Sequence, residues 1–304
     1  MRATKPRKYL AIATMAGLVT GLAACSSSGS SSSNGPGTAA TGSRGSGSVN
    51  VLYAASLQDL MDKQIGPAFH SATGYSVSGF AGGSTDLAGD IKAKTQKADV
   101  FVSASPAADA LLQGAKNGNW VDWYATFAKA PLVLGYNPKS SFAAQLKSKP
   151  WYDVVTEHGF RLGKTDPATD PKGVLAQEAL TDAAKKNHSS TLAAMAKSQS
   201  GVYPEETLVG RLQSGQLDAG FFYTPEATAA DIKTVPLTGT DLSATYTATV
   251  VNHAPDEQGA DAFVKYLLGS AGKQVLTKAG FQLLPITVAG SGVPSGLKSV
   301  LPDK

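Results

Sequence analysis

The chain of 304 residues has one cysteine, Cys25, so no disulfide can form within it. It has only four histidines, His70, His158, His188 and His253, scattered without the spacing of a metal site. Charged residues are sparse at 16 %. No serine stands in a nucleophile-elbow context and no phosphate-binding P-loop is present. These absences argue against a disulfide scaffold, a histidine metalloenzyme, a serine hydrolase of the α/β type and a nucleotide hydrolase. The formal charge of +4 is also misleading. Arg2, Lys5, Arg7 and Lys8 carry it, and residues 1–24 contain no acid, so the remainder is close to neutral. A neutral body lacks the basic face that nucleic acid requires, and any site for an anion must be local.

What is present begins with those four charges. An apolar stretch from Tyr9 to Ala24 follows and closes on Leu22-Ala23-Ala24-Cys25. Positive residues, a short apolar core and small residues at the end make an export signal, too short and wrongly flanked for a membrane span. The terminal tetrapeptide resembles the lipobox of bacterial lipoproteins, which implies cleavage before Cys25 and acylation of its thiol. Residues 25–48 are nearly all Ser, Gly, Ala, Thr and Asn. That composition buries too little apolar area to offset ordering entropy and reads as a tether. The expected location is the outer face of the cell membrane, held by lipid alone.

About 255 residues remain, enough for one large domain or two lobes. Val49–Tyr53, Tyr75–Phe80, Val100–Val102, Pro131–Tyr136, Phe160–Gly163, Ala219–Tyr223 and Thr245–Val251 read as strands. Leu57–His70, Leu87–Lys94, Ala107–Leu112, Leu175–Lys185, Glu205–Gln213, Ala260–Leu268 and Gly272–Ala279 read as helices. Such alternation predicts an α/β fold with a parallel sheet and helices on both faces. Two lobes facing a cleft fit this pattern, with Pro131–Tyr136 and Thr245–Val251 crossing between them; a single α/β domain fits it too.

Three loops follow strands and open helices, where α/β proteins place ligands. They are Ala54-Ala55-Ser56-Leu57, Gly82-Gly83-Ser84-Thr85 and Asp166-Pro167-Ala168-Thr169-Asp170-Pro171-Lys172-Gly173. Free N–H groups and the positive dipole end at such helix starts suit an anion. Each loop alone also reads as ordinary capping. Trp120, Trp123 and Trp151 read as packing or hinge anchors, and Glu178 with Asp182 as a solvated helix face.

Taken in order, these motifs resemble one family. Val51-Leu52-Tyr53-Ala54-Ala55-Ser56-Leu57, Phe80-Ala81-Gly82-Gly83-Ser84-Thr85 and Lys97-Ala98-Asp99-Val100-Phe101-Val102-Ser103-Ala104 are similar to the first-lobe segments of the molybdate/tungstate-binding proteins of ABC importers. Gly163 to Gly173, Leu212 to Tyr223 and Phe281-Gln282-Leu283-Leu284-Pro285 resemble that family's later segments. The resemblance implies a two-lobed, type II periplasmic-binding-protein-like fold with the ligand cleft between the lobes. It assigns 49–130 plus 245–304 to lobe 1 and 131–244 to lobe 2.

The resemblance also implies the site. Ser56, Gly83 and Ser84 match first-lobe donors; Asp170, Lys172 (through its backbone N–H), Glu205 and Tyr223 match second-lobe contacts. Acids at Asp170 and Glu205 resemble the tungstate-type branch, in which carboxylates bind the molybdenum or tungsten centre itself, since hard high-valent centres suit carboxylate oxygen. Glu206 is the other register for that second acid. The implied protein is no enzyme and needs no cofactor. It is a monomer whose partners are the oxyanion, an ABC permease and its ATPase subunit, with no nucleic acid, and it closes by a hinge over its ligand. Three other readings stay open: a receptor for sulfate, phosphate or a carboxylate, a lipid-anchored hydrolase using Asp170 and Glu205 as acid and base, and a sensor domain.

Overall fold

The computed structural model describes residues 45–302. The export signal, Cys25 and most of the expected tether lie outside the described residues. Ser48, expected at the end of the tether, is instead the first residue of a strand. Among the described residues no helix is long and apolar enough to cross a membrane.

Nine strands form one continuous sheet: β1 Ser48–Ala54, β2 Ser76–Gly82, β3 Val100–Ser103, β4 Trp123–Tyr136, β5 Leu162–Gly163, β6 Ala219–Tyr223, β7 Lys233–Pro236, β8 Ser243–Val250 and β9 Gln282–Gly290. Their order is β2-β1-β3-β8-β4-β6-β5, with β7 and β9 also paired to β4. The expected parallel sheet is therefore corrected to a mixed one. β1 pairs in parallel with β2 and β3, and β5 with β6. Every pairing of β4 and β8 is antiparallel. The reason is the crossing: a strand that leaves one half of the fold and another that returns must run in opposite directions.

β4 is the element that joins the halves. From Trp123 to Pro131 it pairs with β8 and β9, and from Leu132 to Tyr136 with β6 and β7. Its sequence reads as one buried run only after Pro131. The earlier half alternates buried and half-buried positions, and its Thr, Lys and Ala content hid it. A bulge between Thr126 and Ala128 bends it midway. The strand expected at Phe160–Gly163 shortens to Leu162–Gly163.

The long amphipathic helix expected over Leu57–His70 is present but segmented, with a wide π turn at Met61–Ile65 before the helix Gly66–Thr73. Pro67 explains this. It donates no N–H, and its ring crowds the carbonyl four residues earlier, so the preceding turn opens. Leu60, Met61, Ile65 and Phe69 are buried all the same.

Three apolar clusters fix the loops. The largest runs through both halves and includes Tyr53, Phe127, Leu134, Phe221, Tyr246 and Phe263. A second, with Leu52, Leu87, Ile91 and Phe101, seats the helix Ser84–Ala93. A third, with Leu208, Leu212, Leu217 and Phe222, seats the helix Glu205–Gln213. Each buried Leu or Phe contributes about 1.5–3 kcal/mol, so the helix starts that carry the polar residues are anchored one turn behind the site.

Candidate functional site

The seven residues expected to meet a ligand lie on loops, helix starts and one strand end that face one another across the two halves. From the first half come Ser56, Gly83 and Ser84. Ser56 is buried and shares a hydrogen bond of 2.9 Å with the hydroxyl of Tyr246 on β8. Ser84 is fully buried, and its Oγ accepts from the Ala104 N–H at 3.0 Å. Accepting leaves the Ser84 O–H free to donate.

Gly83 precedes the helix Ser84–Ala93 in extended backbone. The first amides of that helix do not face empty space. Those of Thr85 and Asp86 both donate to the Thr169 carbonyl at 3.1 Å. A second-half loop thus caps a first-half helix, and the two halves are closed on one another here.

From the second half come Asp170, Lys172, Glu205 and Tyr223. Asp170 is the N-cap of the helix Pro171–Lys186, and its Oδ1 accepts from the Lys172 N–H at 2.9 Å. Pro171 at the first helical position suits this start. The Lys172 amide is thereby paired with Asp170, while the other carboxylate oxygen, Oδ2, is buried with no partner. Helical spacing sends the Lys172 side chain inward, on the stripe with Ala176, Ala179, Leu180 and Ala183, all buried.

The same logic chooses between the two glutamates. Glu205, Leu208 and Leu212 share one helix face, and all are buried, whereas Glu206 lies a third of a turn away and is exposed. Tyr223 ends β6 with its hydroxyl buried and unpartnered.

Two groups that sequence reading passed over complete the cluster. Glu226 stands three residues after Tyr223, and its carboxylate accepts from the Tyr223 N–H at 3.2 Å. In Tyr-Thr-Pro-Glu an acid after proline reads as a helix-start residue, so the sequence masked any other use. Its Oε2 lies 2.7 Å from Lys172 Nζ. Tyr246 gave no signal beyond an inward position on a strand; its ring packs edge-on against Tyr223 at 6.2 Å.

The Lys172 ammonium is fully buried. It lies 2.7 Å from Glu205 Oε1 as well as from Glu226, over the rings of Tyr223 at 5.3 Å and Phe222 at 5.7 Å. Burial opposes its charge, but the carboxylates of Glu205, Glu226 and Asp170 outweigh this and hold its pKa above the ordinary lysine value. Burial is the main cause that pushes the Glu205 carboxyl well up, with Asp170 and Glu226 adding repulsion and Lys172 opposing it. Asp170 is raised chiefly by burial too, against the pull of Lys172. Burial likewise raises the phenols of Tyr223 and Tyr246, which stay neutral donors at neutral pH.

Two openings reach this cluster. One of about 240 Å³ is bounded by Gly83, Thr165, Asp170 and Glu205. The other, of about 430 Å³, is bounded by Ser56, Glu205, Glu226 and Phe281. Glu205 borders both. A small site with neutral hydroxyl donors, two carboxylates and a buried ammonium can take a compact polar solute. The four histidines are all exposed, as are Glu178 and Asp182, while Trp123 and Trp151 are core residues.

Comparison with known proteins identifies the family and the fold. The bacterial extracellular solute-binding protein family matches residues 49–282. A protein of Haloferax volcanii, named for molybdenum binding in ABC transport, is 30 % identical over 222 residues, spanning 72 % of this chain and 66 % of its own length. The molybdate/tungstate-binding protein WtpA of Pyrococcus abyssi is 24 % identical, over 72 % of this chain and 80 % of its own.

Among solved structures, the periplasmic molybdate-binding protein of Azotobacter vinelandii superposes with a TM-score of 0.62 at 20 % identity, covering 78 % of this chain and 99 % of that one. The sulfate-binding protein SubI of Mycobacterium tuberculosis does so with a TM-score of 0.58 at 18 % identity, covering 84 % and 92 %. These two share the two-lobed α/β binding-protein fold. By the extent of the family match, the chain belongs to the bacterial extracellular solute-binding proteins.

Proposed function

We propose that this solute-binding protein is a lipid-anchored receptor that captures molybdate or tungstate between its lobes and hands it to an ABC permease driven by an ATPase subunit. The observation that carries the reading is the pair of buried, unpartnered groups, Asp170 Oδ2 and the Tyr223 hydroxyl, beside the buried Glu205. A polar atom left so costs about 1–3 kcal/mol, and two such atoms converging beside one buried carboxylate suit a ligand that supplies their partners. The names of the Haloferax and Pyrococcus relatives point to the same solute.

In this reading Ser56, Ser84 and Tyr223 donate through hydroxyls, and Gly83 and Lys172 belong to the ring of contacts. Asp170 and Glu205 bind the molybdenum or tungsten centre. Carboxylates beside a plain tetraoxyanion repel it, so acids in this place favour an anion whose central atom accepts further oxygens. Sulfate and phosphate cannot offer that. Lobes of 49–130 plus 245–304 and of 131–244 meet at the partner switch of β4, and Cys25 carries the lipid.

X-ray absorption at the tungsten edge of the loaded protein tests the coordination. A six-coordinate spectrum that reverts to four-coordinate in Asp170→Asn supports it. A four-coordinate spectrum in the unaltered protein sinks the metal-centre role of both acids.

A further inference from the structure

The ring of contacts above gives Lys172 no role for its side chain, yet that side chain is a fully enclosed charge. It is 0 % exposed, while its partners Glu205 and Glu226 are 2 % and 9 % exposed. Its Nζ is 2.7 Å from each of two carboxylates that come from different elements: Glu205 from the start of a helix, Glu226 from the turn after β6. A second contact of 2.9 Å to Glu226 Oε1 makes that pairing two-pronged. Phe222 and Tyr223 wall the ammonium on its remaining sides with ring faces.

Three carboxylates, Asp170, Glu205 and Glu226, therefore share one buried site with a single positive group. An oxyanion arriving beside them meets strong repulsion, because charges interact far more strongly there than in water.

We propose that Lys172 is a specificity-determining residue acting through its ammonium: bridging Glu205 and Glu226 as their buried counter-charge, it holds Glu205 aimed at the site and offsets the acids so that the oxyanion can approach. This rests on the oxyanion-receptor reading. Lys172 is a positioning residue, since it touches Glu205 and Glu226. Glu226 is its anchor, taking up one prong of the ammonium so that the other is held toward Glu205.

The test is calorimetric titration of the purified full chain with sodium tungstate, comparing Lys172→Met, Glu226→Gln and the double variant, with circular dichroism to check folding. Lys172→Met removes the positive charge and leaves three acids; Glu226→Gln added to it restores the original charge balance. The expected result is a loss of at least tenfold in Lys172→Met and recovery of most of that loss in the double variant, with Glu226→Gln as the reference for the second change.

A merely packing role predicts no recovery, since the double variant lacks the ammonium as well. Wild-type affinity in Lys172→Met, or a folded double variant no better than the single, overturns the proposal. If Lys172→Met does not fold, the double variant decides alone: binding supports the counter-charge role, and failure to bind or to fold overturns it. A wild-type chain that ignores tungstate contradicts the receptor reading instead, and that is seen before any variant is made.

Discussion

Gly83 and Thr169 touch through their backbones: the Thr169 carbonyl oxygen lies 2.5 Å from the point that a β-carbon on residue 83 would occupy. Gly83 has φ −61° and ψ 132°, a conformation open to any residue. Glycine is required there by the close approach of the two loops and by nothing in its own backbone. Gly83→Ala keeps the N–H but must push the Thr169 loop away. Overpacking of this kind costs about 1–3 kcal/mol. With 1.4 kcal/mol to each factor of ten, binding of tungstate is expected to weaken by about tenfold or more while circular dichroism stays unchanged. Calorimetry on the variant checks this; unchanged affinity would mean that closure at this contact contributes nothing.

Tyr223→Phe separates a ligand group from a structural one. The hydroxyl is buried and unpartnered, so its removal should leave the free protein equally stable or more stable, by up to about 1–3 kcal/mol. Ligand affinity should fall by about 1–1.5 kcal/mol at the same time. Thermal melts with and without tungstate report both signs in one experiment, and a loss of stability in the free protein would make the hydroxyl structural.

Asp170 carries two roles that one substitution divides. Asn keeps an acceptor for the Lys172 N–H and so preserves the cap, but it removes the charge on Oδ2. Asp170→Asn is expected to keep stability within about 1 kcal/mol and to weaken tungstate binding without abolishing it. Asp170→Ala should lose binding and also about 0.5–2 kcal/mol of stability. Intact binding in Asp170→Asn would reduce this residue to a cap.

A buried acid away from the site adds to the pH dependence of stability. Asp109 is enclosed under β8, its Oδ2 accepting from the hydroxyls of Thr247 and Ser103 (3.1 Å from the latter), its Oδ1 without partner. Burial raises its pKa to about 7, against the smaller pull of those hydroxyls. The folded chain then holds a proton that the unfolded chain has released between about pH 4 and pH 7. Stability must therefore fall as pH rises through that window, by up to about 1.4 kcal/mol per pH unit, and level off above it. Asp109→Asn should reduce the slope. Melting temperatures of both forms from pH 5 to pH 8 test this; parallel slopes would remove Asp109 as the cause.

Much of this was legible in the sequence where one local rule governs. Glu205, Leu208 and Leu212 sit at helical spacing, so Glu205 turns inward and Glu206 outward, and the helix Glu205–Gln213 has the bounds expected of it. The loops at Ser56, Gly83 and Asp170 followed from strand-to-helix order. What the sequence hid depends on long-range contact. β9 and the first half of β4 are paired strands whose exposed faces carry no alternation sharp enough to announce them. Glu226 looked like a helix-start acid because its second partner, Lys172, is 54 residues away. The inward turn of Lys172 was available from its stripe with Ala176 and Leu180, but a lysine there reads as surface until both carboxylates are seen.

The central claim, that these buried acids and hydroxyls make a receptor for an oxyanion with an expandable metal centre, is tested most directly by calorimetric titration of the purified chain with tungstate, molybdate, sulfate and phosphate. The account predicts tight binding of the first two and silence from the others. Sulfate or phosphate binding of equal strength, or no binding by any of the four, would contradict it.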